Sequence, residues 1–495
     1  MRTRDIPHPD SEDKAVTATT TDSMPLYIAG DWSHGQRATV DVINPATEER
    51  LATVPVAGPA DAEAAVAAAV AVHESGAWSR RSFAQRADAL DAVADGIQSR
   101  QTEFDRHYIQ DLGGLTTFAP MLSNVSIAIF RDAARLARAM SEEPELRTAS
   151  GAKVAVRRTP VGPVLAIVPF NGPLVLAAVK VSSALAAGCP VVLRADVQTP
   201  LSSFLLAEVF SELDLPAGLI SIFPADVDVS KQLVSHSGIA HISFTGSTAV
   251  GKEIMRAAAE NMTRLTLELG GKSAVIVLDD LDPAEAPMFY PGCLAQTGQV
   301  CTTYSRILVP ASRMSDWTTA LGDYFSSLVI GEPGQETTMV GPLASAAQRD
   351  RVERYVALAR EEGTVAVGGR RPPQFDRGFW YEPTLVVGVA PDARIAQEEV
   401  FGPVIVLLPY DDVDQAVQIA NGTGYGLAGG VFTRDVARGE QIASRIRAGV
   451  VNINNFGANF LEPLGGFGQS GLGREGGLEG IQSLMETTQL QFPPP

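Results

Sequence analysis

Cys301 is the first residue of this sequence whose setting could support covalent chemistry. It lies in the segment Gly-Gln-Val-Cys-Thr-Thr, residues 298–303. A glycine three residues earlier could open the backbone, so that the thiol and the Cys301 N–H face one cleft. A lone cysteine is more often a small buried hydrophobic residue, and we expect that role for Cys189 and Cys293.

A carboxylate followed by two glycines is the second candidate. Glu268 ends an apolar, strand-like run and precedes Leu-Gly-Gly-Lys, residues 269–272. Two glycines let the backbone turn sharply and leave room beside the carboxylate for water or substrate, as a general base requires. A carboxylate at a strand end is otherwise a surface residue, and this motif alone leaves both interpretations open.

A glycine turn between a strand and a helix is the third candidate. Residues 244–251 read Phe-Thr-Gly-Ser-Thr-Ala-Val-Gly and lead into a helical pattern. Such a turn can direct unpaired helix N–H groups at a diphosphate, with Ser247 as an additional donor. The spacing from Gly246 to Gly251 is not the three-glycine dinucleotide fingerprint, so an ordinary strand-to-helix turn is the alternative.

The elements that would position these residues follow an alternating pattern. Apolar, strand-like runs separated by helical segments indicate βαβ units and parallel sheets. One series covers residues 164–168, 191–193, 219–223 and 241–244, and a second covers 273–278, 306–309, 404–408, 430–432 and 450–454. Before them we predict a helix from Asp61 to Val72 and one longer helix that contains Leu90 and ends at Gly113-Gly114.

The composition excludes several classes of function. The 495 residues carry a formal net charge of −18, whereas surfaces that bind nucleic acids or anionic membranes are basic. Three cysteines are too few for a disulfide framework or a four-thiolate zinc site, and the six histidines are scattered, so we expect no metal. The polar residues 1–24 lack a signal-peptide core, and the most apolar stretch is interrupted by prolines. We expect a cytoplasmic protein without membrane partners.

Taken together and in order, these motifs resemble the aldehyde dehydrogenase superfamily, in its NAD(P)-dependent, hydrolytic and non-acylating form. The resemblance includes Pro-Phe-Asn-Gly-Pro-Leu at 169–174, Glu-Glu-Val-Phe-Gly-Pro at 398–403 and the 33-residue separation of Glu268 from Cys301. It extends to residues 465–475 and covers nearly the whole chain from about Leu26.

The resemblance implies a set of catalytic roles. Cys301 would attack the carbonyl carbon of an aldehyde, and Asn171 with the Cys301 N–H would hold the resulting oxyanion. Glu268 would activate the water that hydrolyses the thioester to a carboxylic acid. Family members that transfer the acyl group to coenzyme A commonly lack this base, so hydrolysis is favoured. Lys180 matches a family lysine near the active site, with a solvated helix lysine as the alternative.

The resemblance also implies a nicotinamide cofactor. The residues expected to bind it are Phe170, Arg194, Gly246, Ser247, Thr248, Gly251, Leu269, Glu399 and Phe401. Arg194 stands where the family usually has a lysine, and Val197 where many NAD-preferring members have a glutamate. Without this carboxylate, one source of repulsion against the 2′-phosphate of NADP is absent. Asp196 could partly replace the missing carboxylate. We expect NAD, with NADP left open.

The expected architecture is α/β, with two Rossmann-like parallel-sheet domains and small oligomerisation strands. We predict a disordered extension at 1–25, a cofactor-binding domain at 26–267 with an oligomerisation excursion near 142–160, a catalytic domain at 268–462, and a C-terminal segment at 463–495. The last contains a strand near 483–492, and another is expected near 154–158. By resemblance, the protein is a homodimer or homotetramer.

Two other functions stay open at this point. A catalytically silent structural or binding protein can keep this fold, and a thiol esterase could use Cys301 without a cofactor. Dependence on the cofactor separates these hypotheses. Gly172 replaces a bulky aromatic residue that often lines the family's substrate tunnel, so we also expect a wider channel.

Overall fold

The computed structural model describes residues 25–34, 37–149 and 152–493. Apart from Pro25, the predicted N-terminal extension lies outside these residues. The strands, numbered along the chain, are β1 (Leu26–Ile28), β2 (Asp31–Ser33), β3 (Thr39–Ile43), β4 (Arg50–Pro55), β5 (Glu145–Ala149), β6 (Ala152–Pro160), β7 (Val164–Ile167), β8 (Val191–Ala195), β9 (Ile220–Pro224), β10 (His241–Thr245), β11 (Arg264–Glu268), β12 (Ser273–Val277), β13 (Tyr304–Pro310), β14 (Thr364–Val367), β15 (Thr384–Val387), β16 (Val404–Tyr410), β17 (Ala428–Phe432), β18 (Val450–Ile453), β19 (Gly471–Leu472) and β20 (Met485–Gln491).

The helices are numbered in the same way. They are α1 (Pro59–Ser75), α2 (Phe83–Ser99), α3 (Gln101–Leu112), α4 (Ala119–Ala139), α5 (Pro173–Ala187), α6 (Leu201–Ser211), α7 (Val227–Ser235), α8 (Thr248–Ala258), α9 (Tyr290–Cys293), α10 (Met314–Ser327), α11 (Ala346–Glu362), α12 (Arg394–Gln397), α13 (Val413–Asn421), α14 (Val436–Ala443) and α15 (Gly477–Ser483). Short 3₁₀ segments lie at Pro283–Phe289, Ala295–Gly298, Ala311–Arg313 and Gly468–Ser470.

An eight-stranded sheet has the order β19-β11-β10-β7-β8-β9-β1-β2. Its five central strands, from β11 to β9 in this order, run parallel. The chain moves from β7 through β8 to β9 in one direction and then returns to place β10 on the other side of β7. In open α/β sheets, ligands bind outside the carboxyl ends of the strands at such a reversal.

A seven-stranded sheet has the order β14-β15-β16-β13-β12-β17-β18. All of its strands are parallel except β14. Strands β7, β8 and β12 are almost entirely buried, as continuous apolar runs in a sheet covered on both faces must be. The α/β fold with two parallel-sheet units is therefore confirmed.

Two smaller sheets complete the described structure. Strands β3 and β4 form a hairpin, and β20, β6 and β5 form an antiparallel sheet. The strands expected near 154–158 and 483–492 are β6 and β20, which pair from Met485 with Pro160 to Gln491 with Val154. The domain boundaries stay a prediction, although residue 268 ends the last parallel strand of the first large sheet.

The single long helix expected before Gly113 is wrong, because two helices occupy this region. The chain leaves α2 at Arg100, whose backbone is not helical, and α3 begins at the next residue. The Arg100 guanidinium forms ion pairs with Glu208 and Glu212 at the end of α6. This tertiary contact accompanies the break, and local periodicity cannot reveal it.

Among the described residues, we find no helix with the length and apolar character that crossing a membrane requires.

Candidate active site

A cavity of about 1090 Å³ lies between the carboxyl ends of the first large sheet and the amino ends of the second. Most of the residues predicted from the sequence line it. These are Phe170, Asn171, Arg194, Gly246, Ser247, Glu268, Leu269, Cys301, Glu399 and Phe401. Lys180, Thr248 and Gly251 are not in direct contact with the cavity.

The loop that carries Cys301 has an unusual backbone. Gln296, Thr297 and Gly298 all have positive φ angles, of 51°, 56° and 70°. A Cβ atom on Gly298 would lie 2.3 Å from the carbonyl oxygen of Gly402, so a side chain cannot be accommodated there. Gly298 thus supports the left-handed turn and the close contact between the cysteine loop and residues 399–403.

Cys301 is half-buried and protonated in this environment at neutral pH. Burial and the nearby carboxylates of Glu399 and Glu268 raise the pKa of its thiol to about 12. A thiol of this kind needs a base when it attacks a carbonyl group. The other cysteines, Cys189 and Cys293, are fully buried, as predicted, and burial raises the pKa of the Cys189 thiol to about 11.

Glu268 ends β11 with a buried carboxylate, of which Oε1 has no hydrogen-bond partner. A Cβ atom on Gly465 would lie 2.8 Å from this oxygen, so the absence of a side chain keeps space next to it. Burial, reinforced by the negative charge of Glu475, raises the pKa of Glu268 well above its usual value. A buried carboxylate with a raised pKa and a free oxygen can accept a proton.

Lys180 lies in a buried ionic cluster behind Glu268. Its Nζ donates to Glu475 Oε1 at 2.6 Å and to Ser243 Oγ at 3.0 Å, and Ser243 also donates to Glu475. The alternative of a solvated helix lysine does not hold, because the Lys180 side chain is fully buried. Sequence reasoning did not single out Glu475, although a buried lysine needs a carboxylate partner.

Asn171 follows β7 and directs its side-chain amide toward the cysteine loop. Its Nδ2 donates to the Gln299 carbonyl oxygen at 2.9 Å. A carboxamide nitrogen carries two N–H groups, so one donor is left for a ligand. This arrangement can hold an oxyanion next to Cys301.

Gln296 connects three parts of the site and was also missed in the sequence. Its Oε1 accepts from the Tyr108 hydroxyl at 2.9 Å, and its Nε2 donates to the Asn171 carbonyl oxygen at 2.6 Å. The side chain therefore links α3, the loop after β7 and the loop before Cys301. We interpret Gln296 as a positioning residue for the thiol and the Asn171 amide.

We expect Gln296→Ala to lower kcat for aldehyde oxidation by roughly 10- to 100-fold, because small displacements of reacting groups have effects of this size. Alanine also tolerates the left-handed backbone less well than asparagine does. Gln296→Asn should therefore recover part of the loss, and the affinity for the cofactor, measured by calorimetry, should stay the same in both variants. A fully active Gln296→Ala protein would contradict this role.

The glycine pair after Glu268 allows two close approaches. A Cβ atom on Gly270 would lie 2.4 Å from Glu399 Oε2, and one on Gly271 would lie 2.9 Å from the Cys301 carbonyl oxygen. The Gly271 N–H donates to Glu399 Oε1 at 3.0 Å. The pair thus places Glu399 and Cys301 beside the chain that leaves Glu268.

Two aromatic rings border the same part of the cavity. Phe401 has a φ of 63°, and its ring meets that of Phe170 edge to face with a centroid distance of 5.9 Å. A Cβ atom on Gly172 would lie 3.2 Å from Val175 Cγ1 and 3.4 Å from Leu176, and the wider channel expected here stays a prediction. The two rings present flat apolar faces and edges that can pack on a planar ligand.

The glycine turn at residue 246 leads into α8 as predicted. Ser247 caps this helix by accepting from the Val250 N–H at 3.3 Å, and Thr245 Oγ1 is buried at the cavity without a partner. Thr248 donates to the Gln469 carbonyl oxygen, and a Cβ atom on Gly251 would lie 2.6 Å from Leu269. These two residues therefore support the turn from behind.

Arg194 lies on β8, three strands away from β11, which carries Glu268. Its guanidinium donates to Ser230 Oγ at 2.9 Å and to the Ala225 carbonyl oxygen at 2.6 Å, and it lies 3.6 Å from Asp196. The charge is thus already partly neutralised by its own neighbours.

The comparisons with known proteins agree with this geometry. The model of the aldehyde dehydrogenase family matches residues 32–490. The chain belongs to the aldehyde dehydrogenase family. It is 38% identical to the geranial dehydrogenase of Castellaniella defragrans, with 93% of this chain and 97% of that protein covered.

Solved structures of aldehyde dehydrogenases share the whole fold. An aldehyde dehydrogenase of Mycobacterium tuberculosis, complexed with NAD⁺, superposes with a TM-score of 0.92 at 39% identity, covering 95% of this chain and 98% of that one. A betaine aldehyde dehydrogenase of Staphylococcus aureus, also in complex with NAD⁺, gives a TM-score of 0.91 at 34% identity, with 94% of each chain covered.

Proposed function

We propose that this protein oxidises an aldehyde to a carboxylic acid with NAD, through an acyl thioester on Cys301. The observation that carries the proposal is the arrangement of Cys301, Asn171 and Glu268 around one cavity, with Glu268 Oε1 free of a partner. Family membership supports the same reaction. Reduction of NAD with a panel of aldehydes, followed at the absorbance of the reduced nicotinamide, tests it.

The residues of the cavity fit a dinucleotide. The first-turn N–H groups of α8 and the unpartnered Thr245 hydroxyl suit a diphosphate, and the Glu399 carboxylate suits ribose hydroxyls. Phe401 and Phe170 suit the nicotinamide ring. When bound, NAD supplies the acceptor for the hydride that leaves the reacting carbon. The two neighbouring crystal structures in complex with NAD⁺ support this assignment.

In the first step, the Cys301 sulfur forms a bond to the carbonyl carbon, and the thiol proton moves toward Glu268. The Asn171 Nδ2 and the Cys301 N–H stabilise the negative oxygen of the adduct. Burial raises the pKa of Glu268, which makes its carboxylate a stronger base for the thiol proton than an exposed carboxylate is.

In the last step, Glu268 accepts a proton from water as that water attacks the thioester carbonyl. The carbon–sulfur bond then breaks, the acid leaves, and the sulfur recovers a proton. Lys180 forms an ion pair with Glu475 behind Glu268, and Lys180 itself does not line the cavity. Lys180 is in this sense a positioning residue.

Where thioester hydrolysis limits the rate, we expect kcat to fall in acid. Glu268 takes up a proton there and can no longer accept one from water. Because the pKa of Glu268 is raised by burial and by Glu475, this fall should occur above the usual carboxylate range. Glu475→Gln removes a negative neighbour and leaves the opposing charges of Lys180 and Arg474, so the acid limb of kcat should move to lower pH. An unmoved limb, or one shifted upward, would contradict the assignment.

NAD is the proposed cofactor, and the interactions of Arg194 argue against a strong preference for NADP. Its guanidinium is shared by Ser230, Ala225 and Asp196, so it is less available to a 2′-phosphate. Val197 offers no carboxylate that would exclude such a phosphate. We therefore propose NAD as the preferred cofactor and a measurable, weaker use of NADP.

A homo-oligomer is the proposed assembly, either a dimer or a tetramer. Strands β5 and β20 form the outer edges of their sheet within the described part of the chain, and Leu146 and Leu490 are exposed on them. Unpaired edges and exposed leucines favour association with another copy. Sedimentation equilibrium should give two or four times the chain mass of 52.3 kDa, and a single-chain mass at micromolar concentration would contradict this.

We further propose a cytoplasmic location, supported by three free cysteines.

The alternative functions make different predictions. A silent structural protein would show no turnover, and the free Glu268 oxygen beside Cys301 argues against it. Ester hydrolysis by Cys301 without NAD would be a side reaction of the same site. Oxidation that requires NAD distinguishes the proposed function from both.

A further inference from the structure

Charged and uncharged residues line different parts of the cavity. The charged side chains among its described lining residues lie on β8 and the loop after it, on helices α7, α8 and α11, at the end of β11, and on the loops that carry Glu399 and Glu475. These residues are Arg194, Asp196, Lys231, Glu253, Glu268, Arg351, Glu399 and Glu475. The part lined by α3, α4, the start of α5, the cysteine loop and residues 456–461 has no charged residue. We call this part the uncharged channel.

Several polar groups of the uncharged channel are hydrogen-bonded within the protein. Tyr108 and Gln296 form a pair, and Asn459 Oδ1 accepts from the Leu461 N–H at 3.1 Å. Of the buried side-chain polar atoms that line the described cavity, those without a partner are Glu268 Oε1 and Thr245 Oγ1, both outside the channel. Beyond the reacting centre, a ligand would therefore find few polar groups to bind.

Helix α4 gives the uncharged channel an apolar face that reaches the surface. Met121, Leu122, Val125 and Ala128 all line it and recur at helical spacing. Met121 is 49% exposed, and Phe456, which lines the same channel, is 40% exposed. Large apolar side chains left in water beside a cavity mark a place where an apolar ligand binds.

We propose that the uncharged channel selects neutral aldehydes whose hydrocarbon body is long enough to reach Met121 and Phe456. The proposal rests on the proposed aldehyde oxidation. Burial of each methylene group adds binding energy, whereas a fixed charge would lose its hydration without a charged partner in the channel. Phenylalanine faces, such as that of Phe456, could hold a quaternary ammonium group by cation–π contact, and a test must include this case.

The experiment compares kcat/KM at saturating NAD for propanal, hexanal, octanal and betaine aldehyde. Octanal has five more methylene groups than propanal, and each one that is buried should raise kcat/KM about three- to fourfold. Burial of only two of them should therefore already make octanal better than propanal by about tenfold. Betaine aldehyde should be the poorest of the larger substrates. Equal values for propanal and octanal, or a preference for betaine aldehyde, would overturn the proposal while NAD reduction itself still supported the proposed function. No NAD reduction with any aldehyde would instead contradict the proposed function.

A pair of variants on α4 tests the channel directly. Met121→Glu places a carboxylate in the channel and should lower the octanal-to-propanal ratio of kcat/KM by about tenfold, while raising the relative use of betaine aldehyde. Asn124 is exposed on the same helix and does not line the cavity, so Asn124→Glu adds the same charge outside it and should keep the wild-type ratio. Equal melting temperatures confirm that both variants fold. An unchanged ratio in Met121→Glu would overturn the proposal.

Discussion

Replacement of Cys301 by alanine should abolish aldehyde oxidation. Without the thiol there is no sulfur to form the covalent adduct, and neither Asn171 nor Glu268 can replace it. We expect kcat/KM to fall by at least about 10⁴-fold, as is typical when a covalent nucleophile is removed. The fall should be seen with every aldehyde and with any ester substrate.

Two controls make this result specific. Cys293→Ala removes a buried thiol that does not line the cavity, so it should keep oxidation, apart from a loss of stability from the altered core. The Cys301→Ala protein should also keep its affinity for NAD in calorimetry, which shows an intact cofactor site. Steady oxidation by Cys301→Ala at the wild-type rate would contradict the mechanism.

Replacement of Glu268 by glutamine should stop the reaction after one turnover. A neutral amide cannot accept a proton from water, so the thioester formed on Cys301 accumulates. Steady-state kcat should fall by about 10²- to 10⁴-fold, the usual contribution of a general base. Rapid mixing with NAD and aldehyde should show a burst of about one reduced nicotinamide per active site, followed by slow turnover. The burst should form more slowly than the first turnover of the wild type, because glutamine cannot take the Cys301 proton either.

The comparison with an unrelated carboxylate isolates the effect of Glu268. Glu486 on β20 forms an exposed ion pair with Arg264 at the start of β11, and it does not line the cavity. Glu486→Gln should therefore show wild-type kinetics without a burst. If Glu268→Gln instead lost the burst altogether, thioester formation and not its hydrolysis would limit this variant, which would contradict the assignment.

The sheets and the main motifs could be predicted because their signals are local. Buried parallel strands such as β7 and β12 read as continuous apolar runs, and each catalytic motif lies next to such a strand. The short sequences around Cys301 and Glu268 are therefore sufficient to place both residues at strand boundaries.

The remaining features depend on contacts between distant residues. Lys180 and Glu475 are 295 positions apart, and only the fold shows that they form an ion pair behind Glu268. Gln296 looks like an ordinary polar loop residue until its bonds to Tyr108 and Asn171 are seen. The break between α2 and α3 likewise coincides with the ion pairs of Arg100, which periodicity does not report.

The central claim is that the acyl group passes through a covalent bond to Cys301. Peptide mapping by mass spectrometry of Glu268→Gln, quenched in acid after the burst with NAD and octanal, tests this most directly. We expect the mass of the octanoyl group on the peptide that contains Cys301, in an amount equal to the burst. A full burst of reduced nicotinamide with an unmodified Cys301 peptide would contradict the account.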